Sequence, residues 1–297
     1  MLYFIIAIIT FTSYFIFVPE LLKHYWPEHV ENKYWFQIIS MQAMHIIVYI
    51  IVNASYGVIY YLNHPFFEQY KIEKKPWPWQ TDKQEWNKLK NETFINFFIN
   101  LIIGILLAMT FGLTGVKYRF DRQSLPNIWE MIPQFLFCIL IEDIGFYWTH
   151  RLLHLPALYK YHKQHHQYIV TISISAEYST VLEYLLSNLL PFIIGPRILN
   201  EKLHMMTMLI WIGIRVYKTL SAHSGYVFPW EIFQYIPFLA FSEFHSYHHS
   251  HNNGNFGSFF IFWDYLFGTS NNYYEKKLKD NYGILNIYNP QKKKQMI

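Results

Sequence analysis

Residues 128–154 read IWEMIPQFLFCILIEDIGFYWTHRLLH. The part from 128 to 148 is an apolar run of about 20 residues, the length that carries a helix across a roughly 30 Å hydrocarbon core. Pro133 lies near its start. The stretch ends on two imidazoles four residues apart, His150 and His154, which a helix places on one face. An apolar span that delivers paired histidines to one end is the unit from which the rest of the reading is built.

Three more apolar runs precede it, at residues 1–18, 36–62 and 94–116. The second carries Gln42, His45 and Asn53 within it. The first has no basic start and no small-residue cleavage site before Pro19 and Glu20, so it is read as a span and not as a secretory signal. Helices are expected throughout, because an open strand would leave amides unsatisfied in lipid. Composition agrees: 53% of residues are apolar, 21% aromatic and 15% charged, against about 25% charged in an average soluble domain. A mean hydropathy of +0.08 excludes a chain made only of spans.

The connections are polar. Residues 63–93 hold KIEKKPWPWQ, with the prolines and tryptophans of a membrane interface. If all four runs cross, the N-terminus, this loop and everything after Trp148 share one face. That face collects most of the Lys and Arg and is placed in the cytosol. Two further apolar stretches, residues 184–198 and 203–220, are broken by Pro191, Gly195 and Pro196 and read as a re-entrant hairpin. The expected fold is all-α: an integral membrane protein with about four transmembrane helices, the re-entrant helical hairpin and a cytosolic histidine-rich helical cap. Residues 1–127 form the N-terminal spans and loops, 128–270 the catalytic region and 271–297 a polar tail.

The net charge is +4. Lys71, Lys74, Lys75 and Lys292, Lys293, Lys294 sit in polar segments, where they suit solvent and anionic headgroups and not nucleic-acid readout. Cys138 is the single cysteine, which excludes an intrachain disulfide, a thiolate zinc site and a cysteine-held iron–sulfur cluster.

Histidine is the anomaly, with fifteen in the chain. Beyond His150 and His154, residues 159–166 read YKYHKQHH and 245–249 read HSYHH. His162, His165, His166 and then His245, His248, His249 repeat the spacing i, i+3, i+4. Imidazoles so spaced reach one metal, or divide between two. These eight offer more nitrogen donors than one ion accepts, which argues for two ions. His223, in SAHSGY (221–226), is a candidate ninth ligand. Ligand type alone permits zinc or iron. A hydrolytic zinc site uses about three protein ligands, whereas attack on an unactivated C–H bond needs a redox metal.

The segment from Glu142 to His154 (EDIGFYWTHRLLH), with the two later clusters, resembles the fatty-acid hydroxylase and sterol desaturase superfamily in order and spacing over roughly residues 130–270. Four details are similar to its sterol C-4 methyl oxidases: HRLLH itself, AEYSTVLE at 176–183, HSGY at 223–226, and NGNFG at 253–257 followed by WDYLFGT at 263–269. The resemblance implies that His150, His154, His162, His165, His166, His223, His245, His248 and His249 hold two irons. It implies an O2-dependent monooxygenase that oxidises an alkyl group of a sterol, with zinc able to occupy the site in a purified sample. Cytochrome b5 and an NAD(P)H-dependent reductase are the implied electron source, and the endoplasmic reticulum membrane the implied location. Glu142, Asp143, Glu177 and Glu183 are candidate acceptors for imidazole N–H groups. The chain departs from that branch at Thr180-Val181, where a His-Pro pair is usual. Tyr178, Thr180 and Val181 are therefore candidates for shaping the substrate pocket. Alternatives are oxidation of the sterol side chain, sterol desaturation, hydroxylation of an acyl lipid, or a non-catalytic membrane subunit retaining the fold.

Overall fold

The computed structural model describes residues 2–110, 117–231, 236 and 238–270. The tail expected at 271–297 and the end of the third apolar run, at 111–116, lie outside the described residues. Within them the chain is helical, and pairing of strand type is limited to isolated bridges. The long helices are α1 (Leu2–Tyr25), α2 (Lys33–Leu62), α3 (Lys83–Thr110) and α4 (Ile128–Leu153). They are followed by α5 (Val181–Lys202), α6 (Met205–Ala222), α7 (Ser242–His251) and the short α8 (Phe262–Leu266).

Local sequence sets several of the ends. The Asn32 side chain accepts from Trp35 N and caps α2, which closes on Asn63 in the left-handed region at φ 42°. Asn127 caps α4 by accepting from Glu130 N. His204 caps α6 by accepting from Met206 N at 3.0 Å.

Four helices are long and apolar enough to cross a membrane by length and composition: α2, α3, α4 and α5. Three coincide with the expected spans. The first run lies in α1, and most of the run's side chains fall outside the described set. The outward faces are apolar, with Ile39, Ile47, Ile50 and Ile51 on α2, Ile95, Phe98 and Ile102 on α3, and Leu136 and Leu140 on α4 all exposed. Contiguous apolar exposure of this kind fits lipid and not water.

The stretch that sequence splits at Pro191, Gly195 and Pro196 is helical throughout. Tyr184–Leu189 is wound as a π-helix, and Pro191 follows in the first turn of the regular α-helix Leu190–Leu199, where a missing N–H is tolerated. The helix lies tightly along α4. A Cβ on Gly195 would stand 3.0 Å from Cys138 Cα, and one on Gly145 would stand 3.0 Å from Pro191 Cβ. The hairpin of α5 and α6 runs the depth of the bundle, since its turn bonds to the α3–α4 connection through Arg119 N to Leu203 O and Met205 N to Arg119 O. Residues 205–215 of α6 are all buried, so this helix is the centre of the core, with Trp211 stacked between Phe192 and Phe259.

The two ends of the bundle differ. At one end Trp26 donates to Phe120 O and the α5–α6 turn meets residues 117–121. At the other, Tyr60 donates to Ser224 O and Tyr178 to Glu92 Oε2. All three histidine clusters collect at this second end, beside the connection between α2 and α3.

Candidate metal centre

His150 lies in the last turn of α4 and His154 at its C-cap. His162, His165 and His166 come from the following loop, which coils as 3-10 turns at Tyr159–Tyr161 and His165–Gln167. This corrects the regular helix implied by their spacing. His223 is the C-cap of α6. His245, His248 and His249 lie on α7.

The nine imidazoles gather into two adjoining groups. His150, His154, His162, His166 and His248 form one, and His165, His223, His245 and His249 the other. In each group one nitrogen per residue lies within 4.8 Å of all the rest. Each i, i+4 pair stays in a single group, whereas the i+3 member of a triplet, His165 or His248, crosses to the other.

The second ring nitrogens are tethered. His150 Nδ1 donates to Phe256 O at 2.9 Å, His248 Nδ1 to Gly254 O at 2.6 Å, His165 Nδ1 to Tyr178 O at 3.1 Å and His223 Nδ1 to Thr219 O at 2.8 Å. A carbonyl can only accept, so the proton sits on Nδ1 and Nε2 keeps a bare lone pair. The lone pairs of His223 and His165 face each other with their Nε2 atoms 3.2 Å apart, and His245 Nε2 lies 2.9 Å from His223 Nε2. In the other group His162 Nε2 is 3.1 Å from His150 Nε2 and 3.0 Å from His166 Nε2, and His154 Nε2 is 3.2 Å from His248 Nε2. Two acceptors at that separation repel unless a cation lies between them. Ligands about 2.1 Å from one ion stand about 3.0 Å apart in octahedral and about 3.4 Å apart in tetrahedral array, so the residues present fit a metal in each group.

Burial pushes the ring pKa values down, and the other imidazoles add to the effect. His154 falls to about 2 and His165, by burial alone, to about 4. His162, His166, His223, His245, His248 and His249 fall as well. At neutral pH the set is uncharged, the form that binds metals.

Of the four candidate carboxylates, Glu183 alone faces the clustered imidazoles. Its Oε1 lies 2.9 Å from His162 Nδ1, off the line of a hydrogen bond, and 4.0 Å from His165 Nδ1. Glu142 instead pairs with Arg215 Nε at 2.7 Å, and Glu177 with His45 at 3.1 Å. Asp143 accepts from Phe259 N, Phe260 N and Trp263 Nε1 at 2.6, 3.0 and 2.8 Å. Asp264, which the sequence reading left without a role, accepts from Phe256 N and Gly257 N at 2.8 and 2.7 Å. These two aspartates lock the loop whose carbonyls, at Gly254 and Phe256, orient His248 and His150.

Two cavities meet at the site. A chamber of about 40 Å3 is lined by His150, His162, His165, His223 and His245, with Arg215 and Lys218 in its wall. A larger, mainly apolar cavity of about 300 Å3 runs between α2, α3, α5 and α6. Its lining residues Met208 and Thr219 are about 16 Å apart along α6 at 1.5 Å per residue. Ala176, Asn188, Arg215 and Thr219 line both and form the threshold between them. Tyr178, Thr180 and Val181 are not among the residues lining these two cavities. Tyr178 donates to Glu92 and Gln167, and Thr180 donates to Tyr161 O and caps the start of α5. Their segment reaches the large cavity through Ala176, Glu177 and Tyr184.

The profile of the family described as fatty acid hydroxylase matches residues 135–269, which hold every histidine of both groups. The chain is 33% identical over 275 residues to Methylsterol monooxygenase 1 of Rattus norvegicus, covering 88% of each. It is 34% identical over 262 residues to Methylsterol monooxygenase erg25B of Aspergillus fumigatus, covering 85% of this chain and 84% of that one. It is 32% identical over 234 residues to the C-4 methylsterol oxidase of Candida albicans, covering 77% and 74%. No solved structure matches. With similarity over about three quarters or more of the chain to three such relatives and a histidine cluster inside the matched region, the chain belongs to the fatty acid hydroxylase family, in its methylsterol monooxygenase branch.

Proposed function

We propose that the chain oxidises the C-4 methyl group of a sterol, using O2 and electrons from an external donor. The observation that carries this reading is the opening of an elongated apolar cavity, between membrane-length helices, onto the two histidine groups. The named activities of the relatives supply the substrate class. A rigid, apolar molecule with one polar end matches a cavity of that length and lining. Thr180 and Val181, where the chain departs from the branch, line neither cavity, which supports the C-4 methyl over a side-chain carbon.

His150, His154, His162, His166 and His248 would hold one ion, and His165, His223, His245 and His249 the other. Iron, when bound by them, supplies the redox chemistry needed to activate O2 toward an unactivated C–H bond; zinc would fit the same nitrogens without it. The chain contributes neutral imidazoles, four of them with tautomers fixed by backbone carbonyls, a carboxylate at Glu183 against His162, and apolar walls that exclude water. Each round follows a balanced equation. A methyl plus O2, two electrons and two protons gives the alcohol and one water. The alcohol with the same reactants gives the aldehyde and two waters, and the aldehyde in turn gives the carboxylic acid and one water.

Cytochrome b5, reduced by an NAD(P)H-dependent reductase, is the proposed donor. The histidine end faces the cytosol of the endoplasmic reticulum membrane, where α6 returns the chain after the hairpin. Sterol mass spectrometry with and without the gene tests the reading. Loss of the gene is expected to accumulate C-4 methylated sterols, reversed by the wild-type chain and not by His165→Ala. Unchanged sterols with an altered acyl-lipid profile would overturn it.

A further inference from the structure

Arg215 is the one residue with a permanent charge at the threshold between the two cavities. It is 9% exposed, on the innermost helix of the bundle. A guanidinium carries five N–H donors in a fixed plane. One of them is used: Nε donates to Glu142 Oε1 at 2.7 Å. Among the described residues Nη1 and Nη2 make no hydrogen bond, and the Cζ end lies 5.5 Å from the Phe146 ring centroid, in the wall of the histidine chamber. Lys218, the neighbouring cation, differs in that it already donates to Ala240 O.

A guanidinium edge that lines a cavity without a protein partner keeps its donors free for a ligand. The apolar cavity brings in a molecule with few oxygens, and the chamber is where new ones are made. A forked donor of this kind accepts a hydroxyl or aldehyde oxygen through one N–H and a carboxylate through two, with the charged form bound most strongly.

We propose that Arg215 binds the oxygen atoms that successive oxidations place on the substrate's methyl carbon, holding the alcohol and aldehyde in the chamber for the next round and gripping the final carboxylate. This rests on the C-4 methyl reading above. Glu142 holds the guanidinium through Nε and leaves the Nη edge without a hydrogen bond.

Two measurements on the purified holoenzyme in lipid nanodiscs test it. First, a 3β-hydroxysterol 4-carboxylic acid and its methyl ester compete against a radiolabelled 4-methylsterol for the wild-type protein. The acid is expected to bind about tenfold or more tightly than the ester, as a charge-assisted pair should. Equal binding of acid and ester overturns the proposal, and this arm needs no variant to fold. Second, products of 4-methylsterol turnover are compared in wild type, Arg215→Gln and Arg215→Lys, with Glu142→Gln/Arg215→Gln relieving the unpaired carboxylate. In Arg215→Gln the released alcohol is expected to rise about tenfold relative to acid, with partial recovery in Arg215→Lys. An unchanged ratio in variants that retain their metal overturns the proposal. If the wild-type chain turns over no methylsterol yet prefers acid to ester, the C-4 activity fails and the assignment of Arg215 as an oxyanion site stands.

Discussion

The histidines divide their labour by nitrogen. Nε2 faces the middle of each group and, in four of them, Nδ1 is held by a backbone carbonyl: Phe256 for His150, Gly254 for His248, Tyr178 for His165 and Thr219 for His223. The positions of the nine were legible in the sequence because spacing of three and four survives in any tight coil. The anchors were not, since a carbonyl has no side chain to announce it. Nor was the division of each triplet, in which His165 and His248 cross between groups. That division makes a prediction. Removing His245, with its partners His165, His223 and His249 left one short, is expected to lower metal content from about two ions per chain to about one, because His150, His154, His162, His166 and His248 remain complete. Elemental analysis of the purified variant checks it, and retention of both ions would show that the four-histidine group tolerates a vacancy.

At the level of elements, three of the spans could be read from apolar length alone. The hairpin could not be drawn correctly, because Pro191, Gly195 and Pro196 look like breaks. A π-helical stretch absorbs the first, and the close approach to Cys138 requires the second. The hairpin's turn holds a titratable cap. His204 is fully buried, caps α6 through Nδ1 and donates from Nε2 to Asp121 O at 3.3 Å. Burial pushes its pKa down to about 4, against about 6.5 in an unfolded chain. The unfolded chain therefore takes up the proton first. The stability tied to neutral His204 is full above about pH 6.5 and is lost as pH falls toward 4, by at most about 3 kcal/mol. His204→Asn keeps an acceptor for Met206 N and removes the titration. Its thermal midpoint in detergent is expected to fall less than that of the wild type between pH 6.5 and 4.

Across the whole molecule, lipid-facing isoleucines and leucines surround a bundle whose buried polar residues concentrate toward the histidine end. That gradient places an apolar cavity under a nitrogen-rich chamber, and Arg215 at the step between them. The cavity was invisible in the sequence because its walls come from residues as far apart as Gln37 and Thr219. The central claim is that this arrangement inserts oxygen from O2 into a sterol methyl group. The measurement that tests it most directly supplies the iron-loaded chain, in nanodiscs with a reduced electron donor, with a 4-methylsterol under 18O2. The account predicts one 18O atom in the C-4 hydroxymethyl product, and none of that product from His165→Ala. Recovery of the sterol unchanged, or of a product whose oxygen comes from water, would contradict it.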